Sequence, residues 1–364
     1  MSLVVAKIGS SSITTHGTVN RDQMDRLAAD VASLRSNGHR VVIVTSGAIA
    51  AGLPALDLDP LEAHSDEVLR AASAVGQISL MGAFDERFAA AGMNVGQVLL
   101  APTDFMFRRR YLKSKGTIAA LLELGVVPVI NENDAIADDE IRFGDNDRLG
   151  ALVAHLVEAD LLVLLTDMAG LFTADPRVDT SASLIEEIVE IDKTLEAVAG
   201  GVGSSISRGG MASKLAAAKI ATWSGVETLI ASASRERVLV EAVERTDGVG
   251  TRFVARDRRL AARKLWIAFA VPAAGRITVD AGARKALEER NGSLLPAGVR
   301  ATSGTFAAED AVEIVDSDGA VFAKGRVRWS SDQLRDNAGK QTNELPPGTP
   351  DEVVHRDDLV VLPA

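Results

Sequence analysis

The chain has 364 residues, 47% of them hydrophobic and 24% charged, with no cysteine and a formal net charge of −11. The length suggests two domains, the lack of cysteine excludes disulfides and thiolate chemistry, and the acidic balance argues against chain-wide affinity for nucleic acid, whose binding rests on neutralising phosphates. The five histidines (His16, His39, His64, His155, His355) show no metal-ligand spacing. No run reaches the roughly 18 apolar residues of a membrane span. The first residues enter an apolar strand without a charged-then-apolar leader, so a cytoplasmic setting is expected.

Residues 3–8 read as a buried strand interrupted by Lys7. Residues 21–37 read as a helix, with Met24, Leu27, Ala28, Val31 and Leu34 on one face. Asn20 and Gln23 stand where a capping pair would, and Gly38 supplies the stop. A strand at 41–45 runs into Ser46-Gly47. Helical patterns follow at 67–91, 111–124, 147–159 and 211–224, and strand-like runs at 95–100, 126–131, 161–166 and 228–231. Apolar strands separated by amphipathic helices predict an α/β fold with a mostly parallel central sheet and helices on both faces.

After about residue 252 the pattern changes. Six basic residues (Arg252, Arg256, Arg258, Arg259, Arg263, Lys264) read as a solvated linker helix. Short β-like runs follow at 276–279, 298–302, 312–315, 321–329 and 358–362. They are interrupted by a helix around 281–290 and a polar loop at 337–351. The expected division is a catalytic domain at 1–255, a basic linker at 256–272 and a small β-rich domain at 273–364.

Ligands of open α/β sheets bind beyond the carboxyl ends of the strands, so the residues there are the candidates. Lys7-Ile8-Gly9-Ser10 is either a phosphate approach, through backbone N–H groups and the lysine, or an ordinary glycine–serine turn. Ser46-Gly47-Ala48 suits a carboxylate, a phosphate or a plain helix cap. Asn131-Glu132-Asn133-Asp134 puts four polar residues after a core strand, and Phe143-Gly144-Asp145-Asn146-Asp147 opens the next helix. Thr166-Asp167 ends another strand. Arg208-Gly209-Gly210-Met211-Ala212-Ser213-Lys214 places glycines and a first-turn lysine at a helix start, as a phosphate cradle or as a glycine-rich cap; the P-loop pattern is absent.

In order and spacing these segments resemble the glutamate-phosphorylating branch of the amino-acid-kinase family. The matching pieces are Lys7-Ile-Gly-Ser-Ser11, Val44-Thr-Ser-Gly-Ala-Ile-Ala-Ala-Gly52, Val129-Ile-Asn-Glu-Asn-Asp-Ala135, Phe143-Gly-Asp-Asn-Asp-Arg-Leu149, Leu165-Thr-Asp167 and Gly209-Gly-Met-Ala-Ser-Lys214. Arg208 and Ser213 stand where that family commonly has threonine. The C-terminal part resembles a PUA domain, through Gly275–Ala283, Ser293–Val299 and His355-Arg-Asp-Asp-Leu359; Trp329 replaces a usual tyrosine there.

The resemblance implies transfer of the γ-phosphoryl group of ATP, with Mg²⁺, to the γ-carboxylate of L-glutamate. Lys7 and Lys214 would neutralise the transferred group, and Asp147 would orient both lysines. Asp134 is the candidate partner of the substrate ammonium, with Ser46 and Asn146 at its α-carboxylate or nearby. Lys7, Gly9, Ser10, Thr166, Asp167 and the 208–214 segment (Arg208, Gly209, Gly210, Met211, Ala212, Ser213, Lys214) would hold ATP. Asp138-Asp139-Glu140 would lie near the substrate entrance. Proline is expected as an inhibitor, a homo-oligomer (dimer or tetramer) as the assembly, and RNA is a candidate ligand of the PUA domain. Arg108-Arg109-Arg110 reads as a surface or subunit-contact feature. The rival readings are an aspartate or N-acetylglutamate kinase of the same family, and an RNA-binding protein acting through the PUA domain.

Overall fold

Strand β1 (Leu3–Ile8) is buried along its whole length, which requires cover on both faces of its sheet. The computed structural model describes residues 1–15, 17–59, 65–136, 146–174, 179, 181–191, 195, 210–256, 260, 262–290 and 292–362. Their contacts divide the chain into two units, Met1–Arg259 and Leu260–Ala364.

In the first unit, β1 leads through a short helical turn, Ser10–Ile13, to α1 (Arg21–Ser36). Asn20 caps α1 by accepting the Gln23 N–H (3.1 Å). The expected reciprocal bond is not made: the Asn20 N–H donates to the Ile13 carbonyl at 2.8 Å, and the Gln23 amide donates to the Ala233 carbonyl at 2.7 Å. Next come β2 (Arg40–Val44), α2 (Ala48–Ala55), α3 (Asp66–Ala90), β3 (Val95–Leu100), α4 (Arg108–Glu123) and β4 (Val127–Glu132). The remaining elements are α5 (Asn146–Leu156), β5 (Leu161–Thr166), β6 (Glu187–Ile188), α6 (Gly210–Trp223), β7 (Glu227–Ser232), α7 (Val238–Glu244) and β8 (Gly250–Phe253).

These strands form one eight-stranded sheet in the order β3-β4-β2-β1-β5-β7-β8-β6. Neighbours from β3 to β7 run parallel; β8 is antiparallel to β7, and β6 is parallel to β8. Alternation along β1 sends Val4, Ala6 and Ile8 into a core shared with Met24, Leu27, Val31 and Leu34 of α1 and with Leu80, Phe84 and Phe88 of α3. Lys7 therefore faces the other side of the sheet, beneath α5. At the crossing of α2 and α3 a Cβ on Gly52 would stand 1.8 Å from the Ala72 carbonyl oxygen, and one on Gly76 would stand 1.9 Å from that of Ala48. Only glycine lets these two helices approach so closely.

The second unit contains β9 (Gly275–Val279), α8 (Ala281–Arg290), β10 (Val299–Gly304), β11 (Ala311–Val315), β12 (Val321–Val327), α9 (Ser331–Asn337) and β13 (Val354–Val361). Its sheet has the order β10-β9-β11-β12-β13, antiparallel except between β9 and β11. Its own core includes Ile277, Leu287, Phe306, Ile314, Phe322, Trp329 and Leu359.

The basic run is not one continuous solvated helix. Arg252 lies in β8 and pairs with Glu227, and Arg256 pairs with Glu190 at 2.9 Å and stacks over Trp223. Further on, Ala262–Leu265 and Trp266–Ala270 are helical within the second unit. There Arg263 pairs with Asp358 of β13, and the buried Lys324 of β12 donates to the Ala268 (3.4 Å) and Val271 carbonyls. Arg258 and Arg259 lie outside the described residues. Arg252, Arg256 and Arg263 have each found a carboxylate, which offsets the cost of ordering a long side chain.

Candidate active site

At the carboxyl ends of β1 and β5, two helix starts converge on Lys7. α5 begins at Asn146-Asp147, and its Gly150 leaves room for the Lys7 stem: a Cβ there would stand 3.2 Å from the Lys7 Cβ. α6 begins at Gly210 and carries Lys214 one turn in. Asp147 Oδ1 lies 2.5 Å from Lys7 Nζ, and Asp147 Oδ2 accepts from Lys214 Nζ at 3.0 Å. Lys214 also donates to the Gly210 carbonyl at 3.2 Å, and the Ser213 hydroxyl stands 3.5 Å from Asp147 Oδ2.

Asp147 is fully buried, Lys7 is 3% exposed and Lys214 is 8% exposed. Three ionisable groups removed from water are costly unless they satisfy one another, and here one carboxylate serves two ammonium groups. The triad itself sums to one positive charge, an arrangement that an anion completes. Gly9 adds the approach: its Cβ position would lie 3.7 Å from Lys7 Nζ. The first N–H groups of α6 have no intrahelical acceptor and share the Lys214 end of that helix.

A second cluster sits where β2 and β4 end. Asn146 Nδ2 donates to the Thr45 carbonyl (2.6 Å) and to Asn131 Oδ1 (2.8 Å). This draws the start of α5 onto the residue before Ser46, so Ser46, Asn131 and Asn146 are neighbours. Asn131 Oδ1 also accepts the Glu132 N–H at 2.9 Å, and Asn131 Nδ2 donates to Gln77 Oε1 at 2.8 Å. Asp134 Oδ2 accepts from the Ser73 hydroxyl at 3.0 Å. The lysine triad and this polar cluster are joined by the adjacent residues Asn146 and Asp147.

The structure therefore brings Lys7, Asp147 and Lys214 together, and separately joins Asn146 to Asn131 and to the residue before Ser46, while Asp134 is held by Ser73 of α3. Thr166 and Asp167 close β5, beside β1, with the Thr166 hydroxyl donating to Asp167 at 2.9 Å. Ser10 opens the turn after β1 and is exposed, as are Gly210 and Ala212 at the start of α6. Arg208, Gly209, Asp138-Asp139-Glu140 and Phe143-Gly144-Asp145 lie outside the described residues. Arg108-Arg109-Arg110 is exposed at the start of α4, with Arg110 donating to Thr103 at 3.0 Å.

Two contributors were not singled out from the sequence, Ser73 and Gln77. Their signal was available: two polar residues four apart on α3, among Ala72, Gly76 and Leu80 on its buried side. Such a pair marks a helix face turned toward something polar.

Residues 2–232 match the family model described as the amino acid kinase family, and residues 275–347 match the PUA domain. The chain belongs to the amino acid kinase family. Among curated relatives it is 45% identical to "Glutamate 5-kinase" of Burkholderia mallei (strain SAVP1) over 99% of this chain and 97% of that protein. It is 44% identical, with the same coverage, to the protein of that name from Burkholderia thailandensis. Among the described residues no helix is long and apolar enough to cross a membrane.

Proposed function

We propose that this kinase transfers the γ-phosphoryl group of ATP to the γ-carboxylate of free L-glutamate, giving L-glutamyl 5-phosphate and ADP, the first step of proline biosynthesis. The observation that carries the reading is the buried Lys7–Asp147–Lys214 triad, set one residue from the polar cluster around Asn146. The near full-length likeness to glutamate 5-kinases supports the choice of acceptor.

In this reading a γ-carboxylate oxygen attacks the γ-phosphorus in line. A new P–O bond forms as the bond to the β,γ-bridging oxygen breaks, and ADP leaves with those electrons. No general base is required, because a carboxylate is already ionised at neutral pH. The work is positioning and charge stabilisation. Lys7 and Lys214 present compact positive charges to the equatorial oxygens, and Asp147 holds both at fixed separation. Gly9, Ser10, Thr166, Asp167 and the 208–214 segment are assigned to the nucleotide. Ser46 and Asn146 take the carboxylate side of the amino acid, and Asp134 takes its ammonium. Acetylating that ammonium would leave Asp134 facing a neutral amide, which favours free glutamate over N-acetylglutamate.

Among the described residues no group of three histidines or carboxylates converges as a metal site. Asp147, the buried carboxylate of the site, already accepts two ammonium groups. The described residues do not form a protein cage for Mg²⁺, so the ion would be held chiefly by the ATP phosphates, where it would neutralise their charge. We assign catalysis to residues 1–255, with proline as an inhibitor, a homo-oligomer as the assembly, a cytoplasmic location, and RNA as the ligand to test on the PUA part.

The test is a hydroxylamine trap. With ATP, Mg²⁺ and glutamate the protein should accumulate γ-glutamyl hydroxamate, in step with ADP release. Faster turnover of aspartate or N-acetylglutamate than of glutamate would displace the assignment.

A further inference from the structure

Gln77 lies in the middle of α3, exposed over only 9% of its surface, and its amide nitrogen finds no acceptor. A buried N–H without a partner is unfavourable and rare in folded proteins. An amide can often be turned over to remove such a fault, but this one cannot. The Thr45 carbonyl only accepts, so the atom of Asn146 facing it must be the donor Nδ2. The Glu132 N–H only donates, so the Asn131 atom facing it must be Oδ1. Asn131 then offers its Nδ2 to Gln77, whose facing atom must be Oε1. Two main-chain groups thus set three amides in series and leave the buried Gln77 NH₂ as the unsatisfied end of the chain.

The position of that free donor narrows what it meets. Through Asn131 it is one residue from Asn146, in the polar cluster assigned to the amino acid. Ser73, one turn earlier on α3, holds Asp134, the assigned ammonium partner. One face of α3 therefore carries the support of the ammonium site and, four residues on, a buried donor lacking an acceptor. In an α-amino acid the ammonium and the α-carboxylate are attached to one carbon.

We propose that the Gln77 side-chain N–H donates to the α-carboxylate of the bound substrate, making Gln77 a binding and specificity residue. The inference rests on the reading of the chain as a glutamate kinase. It assigns to α3 a direct part in recognition, in addition to its packing against α2. A substrate carboxylate arriving there turns an unsatisfied donor into a charge-assisted hydrogen bond, the stronger kind. An amino acid lacking the α-carboxylate leaves the fault in place.

Two variants separate binding from support. Gln77→Glu keeps an oxygen for Asn131 Nδ2 and replaces the NH₂ by a second acceptor; Gln77→Met removes both. Steady-state ADP release is measured for each with glutamate and ATP varied in turn. 4-Aminobutyrate, which keeps the ammonium and the distal carboxylate, is titrated as a competitor. Both variants should raise the glutamate KM by about ten- to a hundredfold, the range for a lost hydrogen bond to a charged group. The ATP KM and kcat should stay within about threefold, and the weak competition by 4-aminobutyrate should not weaken further in Gln77→Met. A wild-type glutamate KM in Gln77→Glu, or a fall in kcat with KM unchanged, overturns the inference and leaves Gln77 as a support for Asn131. A parallel loss of glutamate and 4-aminobutyrate affinity also overturns it. If the wild-type protein does not turn over glutamate, the functional reading fails and this inference fails with it.

Discussion

Replacing Asp147 by asparagine probes the centre of the site, because one carboxylate neutralises two buried lysines. Asp147 is fully buried, and Lys7 and Lys214 are 3% and 8% exposed, so bulk water screens little of the loss. The substitution keeps the shape and leaves two ammonium groups facing a neutral amide, 2.5 and 3.0 Å from the former carboxylate oxygens. Removing one partner of a buried ion pair costs about 3–5 kcal/mol. At about 2–4 °C per kcal/mol for a unit of this size, the melting temperature should fall by roughly 6–20 °C. ATP phosphates can supply the missing negative charge, so saturating ATP should raise the melting temperature of Asp147→Asn more than that of the wild type. The lysines would no longer be held at fixed separation, and kcat should drop by about a hundredfold or more. Thermal unfolding by circular dichroism, with and without ATP, and coupled ADP release measure both effects. A melting temperature within about 2 °C of wild type, together with near-normal turnover, would refute the view that Asp147 is the counter-ion of both lysines.

Lys214→Ala should lower kcat by at least about two orders of magnitude with a smaller change in glutamate KM, measured by steady-state kinetics; near-normal turnover would remove Lys214 from the mechanism. Asp134→Ala should raise the glutamate KM by roughly tenfold or more and narrow the preference over N-acetylglutamate, and an unchanged KM would refute its ammonium role. Gly76→Ala forces a Cβ to within 1.9 Å of the Ala48 carbonyl and 2.4 Å of the Gly52 nitrogen. It should cost about 3 kcal/mol or more, seen as a lower urea midpoint. Asp30 is buried beneath the start of α7, and its pKa is raised chiefly by burial, against the lowering effect of the Leu239 N–H that it accepts at 2.9 Å. A raised folded-state pKa means the native state holds the proton longer, so the contribution of Asp30 to stability is full in acid and is lost as pH rises through that value. The stability difference between wild type and Asp30→Asn, followed by urea unfolding from pH 4 to 8, should move toward the variant with rising pH; a flat difference refutes the shift.

Most of the catalytic unit was legible because its strands are continuous apolar runs and its helices carry apolar stripes. The predicted strand at 161–166 and the helices at 21–37 and 67–91 match β5, α1 and α3 to within a residue or so. Short elements were harder to read. β6 has two residues and β8 four, too few for a period to register. The basic run misled because charge density read as solvent exposure. Arg252 sits in a strand beside Glu227, a partner 25 residues away that no local pattern predicts. In the second unit the helix Ser331–Asn337 was missed, although its Ser330 and Gln333 form a reciprocal cap. Seven residues show too little periodicity for that cap to stand out.

By itself the sequence determined which residue types stand at each strand end, and therefore that an anion and an amino acid could be handled there. Lys7, Asp147 and Lys214 are visible in it as polar interruptions of apolar or glycine-rich segments. It could not determine that the three meet, since they are separated by more than 60 residues at each step, and only the parallel order β1-β5-β7 and the seating of α5 and α6 bring them within 3.0 Å. The same holds for Gln77. As a letter in a helix it reads as an ordinary polar residue. Its meaning comes from hydrogen-bond direction, carried through Asn131 and Asn146 from two main-chain groups, and direction exists only once the chain has folded.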